Sequence, residues 1–322
     1  MTEIFIIVLA VFFSVNMGAS IFGVTFAAAC GSKAITPKRA QCLFALCVVA
    51  GALCLGREVT NTLEGGIIPA FIITPKVCII ILFSAVLSIF ISNILHVPQS
   101  TSLVTVAALM GVGLYFDQVE WENILWMLPF WIFLPVAGYF LTYFIGKMIY
   151  PPRKINFWIY EKLVNHKSRL KAFVIFSSCY NAFSVGTNNV ANVVGPLVGS
   201  EMISPVIGLL VMAPFFGVGS FLFPGSLKTS SEKIIPLGLL SASIICLVCG
   251  TLVIIASVCG VPQSFVMVKV AAIFAIASLK DESGHGHTFK KPLSKKVIYN
   301  WILMPILAMG LAYVLTWLLF QH

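Results

Sequence analysis

Residues 97–109 read VPQSTSLVTVAAL and residues 261–273 read VPQSFVMVKVAAI, agreeing at eight of thirteen positions. Two further matches follow the same order along the chain. Asn16-Met17-Gly18-Ala19-Ser20 followed by Gly23 parallels Asn188-Asn189-Val190-Ala191-Asn192 followed by Gly195. Thr62 with Ile67-Ile68-Pro69 parallels Thr229 with Ile234-Ile235-Pro236. Chance similarity of apolar text accounts for one such pair but not for three in order, so the chain contains itself twice.

The material between the copies sets their orientation. Of 322 residues, 59% are hydrophobic and 10% charged, against roughly 45–50% and about 25% in soluble domains. A soluble enzyme, a nucleic-acid-binding module and a disordered chain are excluded. The net charge of +9 does not point to nucleic acid, because long apolar runs separate the basic residues instead of gathering them on one wet surface. A spanning helix needs about 20 apolar residues. Ten crossings are read, at 3–30, 40–56, 67–95, 98–116, 123–147, 172–200, 203–223, 234–260, 262–279 and 297–320. Five crossings separate one Asn cluster from the other, and an odd number inserts the copies in opposite senses. Such inverted repeats build many secondary transporters, with the substrate held near mid-membrane. The expected fold is an all-α polytopic membrane protein of inverted-topology repeats with broken or re-entrant helices. Residues 1–147 form the first repeat, 148–171 a basic cytoplasmic linker and 172–322 the second repeat.

Charge tests this count. With the N-terminus outside, the inner loops at 31–39, His96, 148–171, 224–233 and 280–296, together with Lys147 at the inner end of its crossing, carry 17 of the 20 lysines and arginines, as the positive-inside rule requires. Arg57 and Lys76 fall outside, and Lys269 falls within a span. Glu3 ahead of the first apolar run, with no basic segment before it, reads as a membrane span and not as a removed signal peptide. The nine cysteines lie mostly in apolar stretches, where they act as small hydrophobes, the Cys246-x-x-Cys249 pair included.

Two segments, 3–30 and 172–200, exceed a simple span, and each is interrupted by small and amide residues. The first holds Ser14, Asn16, Gly18, Ala19, Ser20, Gly23 and Thr25. The second holds Asn181, Ser184, Gly186, Thr187, Asn188, Asn189, Asn192 and Gly195. Carboxamides in hydrocarbon need partners, and glycine lets backbone unwind and aim its N–H groups at a guest. Unwound chain with helix N-termini pointing inward suits an oxyanion. Helix packing through small residues is the competing reading. At the two V-P-Q-S turns, proline suits a first helical turn. Ser100, Thr101 and Ser264 offer hydroxyls there, and Gln99 and Gln263 offer amides. Ordinary helix capping is the alternative at these turns.

The pattern Asn16-x-Gly-Ala-Ser-x-x-Gly23, with Gly31-Ser32-Lys33-Ala34-Ile35-Thr36, Gly65-Gly-Ile-Ile-Pro69 and Val97-Pro-Gln-Ser-Thr101, resembles the inorganic phosphate transporter family. So does Gly186-Thr187-Asn188-Asn189-Val190-Ala191-Asn192-Val193-Val194-Gly195-Pro196-Leu197. The resemblance implies a secondary transporter of a tetrahedral oxyanion, often driven by Na+ or H+. It also implies two signatures of the form Gly-Ala-Asn-Asp-x-Ala-Asn. This chain departs at the Asp of both, with Met17 in one and Asn189 in the other. Hydrogen phosphate can give a proton to a buried carboxylate as a charge-assisted hydrogen bond. Sulfate has none to give, and a facing carboxylate would repel it by an amount on the order of several kcal/mol. The pattern is similar to a sulfate-permease branch of the family. Loss of both acids also removes ligands that a hard cation such as Na+ prefers.

Lys269 lies seven residues after Pro262, about 10 Å into its crossing. An ionisable group at that depth is a functional candidate, here as a fixed counter-charge for a dianion, and snorkelling to an interface is the alternative. Its partner in the other repeat is Thr105. His285 and His287 in a basic loop stand apart from other metal ligands, and Arg57-Glu58 is read as an anion-steering or surface pair.

The expected function is therefore import of inorganic sulfate by alternating access, with H+ considered for coupling. A phosphate symporter and an anion channel are the alternatives. The expected substrate contacts are Asn16, Gly18, Ala19, Ser20, Ser100, Thr101, Asn188, Asn189, Asn192, Gly195, Gln263, Ser264 and Lys269. No catalysis, metal, cofactor or nucleic acid is expected. Partners are the oxyanion and membrane lipid, with a homodimer open, in a bacterial cytoplasmic membrane.

Overall fold

The computed structural model describes residues 2–95, 99–149, 154–164, 166–222, 238–282 and 292–321. The His96 loop, Val97 and Pro98, the 224–233 loop, the Thr229 to Pro236 match and the His285–His287 pair lie outside the described residues. Among those described there is no strand. The helices are α1 (Thr2–Gly31), α2 (Pro37–Leu55), α3 (Arg57–Gly65), α4 (Pro75–Ile94), α5 (Thr101–Phe116), α6 (Trp121–Ile149) and α7 (Phe157–Val164). They continue with α8 (Lys167–Asn189), α9 (Ala191–Gly199), α10 (Pro205–Leu222), α11 (Leu239–Val258), α12 (Phe265–Glu282) and α13 (Pro292–Phe320). Hydrocarbon offers a backbone no outside partners, so long apolar runs satisfy themselves as helices. Proline opens α2, α4, α10 and α13, where its missing N–H costs nothing.

The helices pair in a pattern that repeats itself. α1 packs along α10 and α8 along α2, while α5 packs along α13 and α12 along α6. Exchanging α1 with α8, α2 with α10, α5 with α12 and α6 with α13 turns each pairing into another of the set. Where α2 meets α8, a Cβ on Gly51 would stand 2.0 Å from the Phe183 carbonyl oxygen, and one on Gly186 would stand 2.1 Å from that of Val48. These contacts are backbone against backbone, the close approach that small residues permit between membrane helices. α6 and α13 form the flanks, with Ile132, Phe133, Leu303 and Ile306 all more than half exposed. Such an apolar exterior suits lipid and not water. At the centre, every residue from Ser184 to Ser200 is buried.

Two expectations about the chain path are corrected. The first long segment does not break: α1 runs unbroken for 30 residues. Its small residues serve packing, since a Cβ on Gly18 would meet the Phe216 carbonyl oxygen of α10 at 1.7 Å. The second segment does break, between α8 and α9 at Val190, but by a tight joint and not an unwound stretch. Val190 keeps helical angles of φ −63 and ψ −34, and its carbonyl accepts from both Val193 and Val194. Pro196, inside α9, lacks the N–H that would have reached the Asn192 carbonyl.

The second correction concerns the V-P-Q-S turns, expected on opposite faces of the membrane. The Ser102 hydroxyl donates to the Gln263 carbonyl at 3.1 Å. Turns separated by a hydrocarbon layer of about 30 Å could not bring these residues together. The second turn also sits deep, because Trp131 Nε1 donates to the Pro262 carbonyl at 3.0 Å. Trp131 is ten residues into α6, about 15 Å from its end. α4 with α5, and α11 with α12, are therefore re-entrant hairpins whose turns meet inside the protein. Among the described residues seven helices are long and apolar enough to cross a membrane, α4 and α11 among them, while α5 and the apolar part of α12 are shorter. Length alone does not separate a crossing from a hairpin arm. Each hairpin leaves by the face it entered, so the sidedness of the remaining loops is unchanged.

Candidate functional site

Three pieces of chain converge at the centre: the first turn, the second turn and the α8–α9 joint. Asn189 Nδ2 donates to Thr101 Oγ1 at 2.9 Å. Asn192 Nδ2 donates to the same oxygen at 3.3 Å and to Ser102 Oγ at 3.2 Å. Ser102 links onward to the Gln263 carbonyl, and the Gln263 N–H donates to Asn188 Oδ1 at 2.9 Å. Asn188 Nδ2 in turn donates to Ser257 Oγ and to the Val261 carbonyl, both at 3.0 Å. Ser257 and Thr187 share a further bond at 2.9 Å. One hydrogen-bond network thus joins both repeats.

Within it the expected residues divide by role. Asn188 commits its oxygen and its amide nitrogen to the second turn, so it shapes the cluster instead of facing a guest. Ser100 Oγ accepts from Leu103 N–H and Ser264 Oγ accepts from Met267 N–H, each at 3.2 Å. The capping reading therefore holds for both oxygens, while each hydroxyl keeps a proton to donate. The remaining amides are incompletely used. Both amide atoms of Gln99 and of Gln263, and Oδ1 of Asn189 and of Asn192, are buried without a hydrogen-bond partner. Each such atom costs about 1–3 kcal/mol, and native proteins keep few of them without a purpose. Their concentration on two equivalent turns and one helix joint marks where a polar guest would complete the network. Two helix N-termini, with uncommitted N–H groups and positive dipole ends, add donors suited to an anion.

Other expected residues lie elsewhere. Gly18 packs against α10, and Gly195 packs against Leu63 of α3, where a Cβ would come within 2.4 Å of that side chain. Ala19 is buried on α1, and the Ser20 hydroxyl donates back to the Met17 carbonyl at 2.9 Å. Asn16 is half-buried on the same helix. Lys269 is 5% exposed, so it does not snorkel out. Its ammonium donates to the Val24 carbonyl of α1 and to Cys246 Sγ at 3.6 Å, and it stands 5.4 Å from the centre of the Phe265 ring.

Electrostatically the centre is acid-free. No Asp or Glu occurs between Glu3 and Glu58, Glu64 and Asp117, Glu161 and Glu201, or Glu232 and Asp281. Among the described residues no three of His, Cys, Asp and Glu gather as a metal site. A separate cavity of about 470 Å³ lies beside the second turn, lined by Glu58, Asn61, Thr62, Trp126, Cys259 and Gly260 among others. None of the expected substrate contacts lines it. Its floor is latched, because Thr62 Oγ1 donates to the Gly260 carbonyl at 2.7 Å.

Ser102, Ser257 and Trp131 were not singled out from the sequence, and Thr62 was noted only as part of a repeat match. One signal was available: Trp131-Ile132-x-x-Pro135 recurs as Trp301-Ile302-x-x-Pro305, a fourth repeat match that marks the tryptophan holding the second turn.

A model of the phosphate transporter family matches residues 17–312. The chain belongs to that family. A Bacillus subtilis protein named "Sulfate permease CysP" is 34% identical over 97% of this chain and 87% of its own length. A Methanocaldococcus jannaschii protein named "Putative phosphate permease MJ0630" is 24% identical over 93% of this chain and 92% of its own. A solved structure described as the sodium-dependent phosphate transporter superposes with a TM-score of 0.85 over 99% of both chains, at 21% identity, and so shares the fold. This phosphate transporter family member is a multi-pass membrane permease. It has Met17 fully buried in α1 and Asn189 in the central network where the family signature has its acids.

Proposed function

We propose that this permease carries inorganic sulfate by alternating access, inward across a bacterial cytoplasmic membrane, at the network formed by Thr101, Asn189, Asn192 and the two turn glutamines. The observation that carries the reading is the absence of any acid in that network, with a neutral amide, Asn189, bonded to Thr101. Neutral donors favour an anion that arrives without a proton. A carboxylate in their place would favour hydrogen phosphate, which brings one. The 34% identity to a protein named sulfate permease supports the same choice. Residues 1–147 and 172–322 act as the two repeats, with 148–171 as the cytoplasmic linker, and one repeat moves against the other around the shared site. H+ is the coupling ion this acid-poor centre leaves open.

The second reading is a phosphate permease, favoured by the names of other relatives and of the solved structure. Uptake of labelled sulfate into proteoliposomes, with unlabelled phosphate as competitor, decides between the two. The sulfate reading expects saturable uptake with counterflow, and little competition by excess phosphate. Strong phosphate competition with weak sulfate uptake supports the second reading, and unitary currents would identify a channel.

A further inference from the structure

Lys269 presents a problem that the central network does not solve. Its ammonium is buried among α1, α8, α11 and α12, and its contacts are a carbonyl, a sulfur and a ring face. Cys246, its sulfur partner, also accepts from Asn181 Nδ2 at 3.6 Å. Asn181 is fully buried, and its Oδ1 has no hydrogen-bond partner. A buried cation without a counter-charge is costly, and the sequence supplies no acid to any of the four helices near this depth. Asn181 lies seven residues before Asn188 on α8, so the ammonium stands about 10 Å from the central network along that helix. At that range, in an interior of reduced dielectric, a single positive charge acts strongly on a dianion without touching it. Thr105 occupies the equivalent place in the first repeat, so the charge is supplied once.

We propose that Lys269 is a tethered counter-cation, which neutralises part of the charge of a bound dianion and so replaces a co-transported sodium ion. This rests on the oxyanion-permease reading above. A symporter normally brings the compensating cation with its anion. Here the cation is covalently part of α12, remains with the empty carrier, and is kept in place by the Val24 carbonyl of the opposite repeat.

Equilibrium binding of radiolabelled sulfate to the full-length protein in lipid nanodiscs tests this, in media containing either sodium or N-methylglucamine as the only cation. The wild type is expected to bind equally in both media. Lys269→Gln is expected to bind at least about tenfold more weakly in both, and Lys269→Arg to stay within about fivefold, since the effect is one of charge. Thermal unfolding is read alongside. Removing an uncompensated buried charge should leave the melting temperature unchanged or raised. A wild type that needs sodium, or a Lys269→Gln protein that binds normally, overturns the proposal. So does a Lys269→Gln protein that melts lower yet binds sulfate unchanged, since that lysine would be only a tie between helices. Repeating the series with phosphate separates the two levels: if only phosphate binds, the sulfate reading fails, and the lysine is judged on the phosphate data by the same criteria.

Discussion

The Asn-rich segments of the two repeats carry related text and have different structures. In α1, Asn16 to Gly23 sit on an unbroken helix whose small residues press against α10, with Gly18 at the Phe216 carbonyl. In α8 and α9, Asn188 to Gly195 straddle a joint, and three carboxamides bind both hairpin turns. A duplicated motif has thus divided its labour. One copy keeps the helix contact that small residues allow, and the other keeps the polar groups proposed to receive the guest. Proline explains part of the difference, since Pro196 breaks the ladder in one copy and the first has none in the corresponding stretch.

On this division, substitutions in the second segment impair binding or uptake, whether or not they also cost stability, and those in the first change stability alone. The largest effect is expected at Asn189→Asp. A carboxylate about 4 Å from a sulfate dianion costs on the order of 4 kcal/mol per unit of sulfate charge at an effective dielectric of 20. Sulfate binding should fall by a hundredfold or more on that same Coulomb scale, with phosphate binding retained or improved, as read by scintillation proximity. Asn188→Ala comes next, because it strips partners from the Gln263 N–H and the Val261 carbonyl at once. It should lower unfolding stability by roughly 3 kcal/mol and abolish uptake together with it. Gly18→Ala sharpens the contrast from the other side. It should destabilise by about 1–3 kcal/mol through overpacking against α10, while protein that remains folded binds sulfate with wild-type affinity. A loss of affinity at constant stability in Gly18→Ala would erase the distinction between the segments. The smallest effect is expected at Thr62→Val, which removes the latch to Gly260. It should cost about 1 kcal/mol and raise the reactivity of exposed Cys259 toward a membrane-impermeant thiol reagent.

Much of this arrangement could be read in the amino-acid order. The duplication and its inversion follow from ordered matches and an odd number of intervening crossings, while lysine placement supplies an expected sidedness for the loops. The second Asn cluster and the residues after each proline were identified as one site, and they share a hydrogen-bond network. Three features were not legible, each for a physical reason. A hairpin arm such as α4 or α11 is as long and apolar as a true span, so hydropathy cannot separate them. Glycine and alanine serve close packing and unwinding equally well, so the continuity of α1 had to come from its partner α10. Trp131 and Thr62 look like an interfacial aromatic and a loop hydroxyl, and only contacts with Pro262 and Gly260 reveal them as holders of the second turn.

The most direct measurement is a structure of the protein with bound selenate, a sulfate analogue whose selenium is located by anomalous scattering. One selenium peak is expected at the second repeat's amides and the two turns, within hydrogen-bonding reach of Thr101, Asn189 or Asn192 and of Gln99 or Gln263. A peak confined to the outer cavity beside Glu58 and Cys259, or along α1 away from both turns, would contradict it.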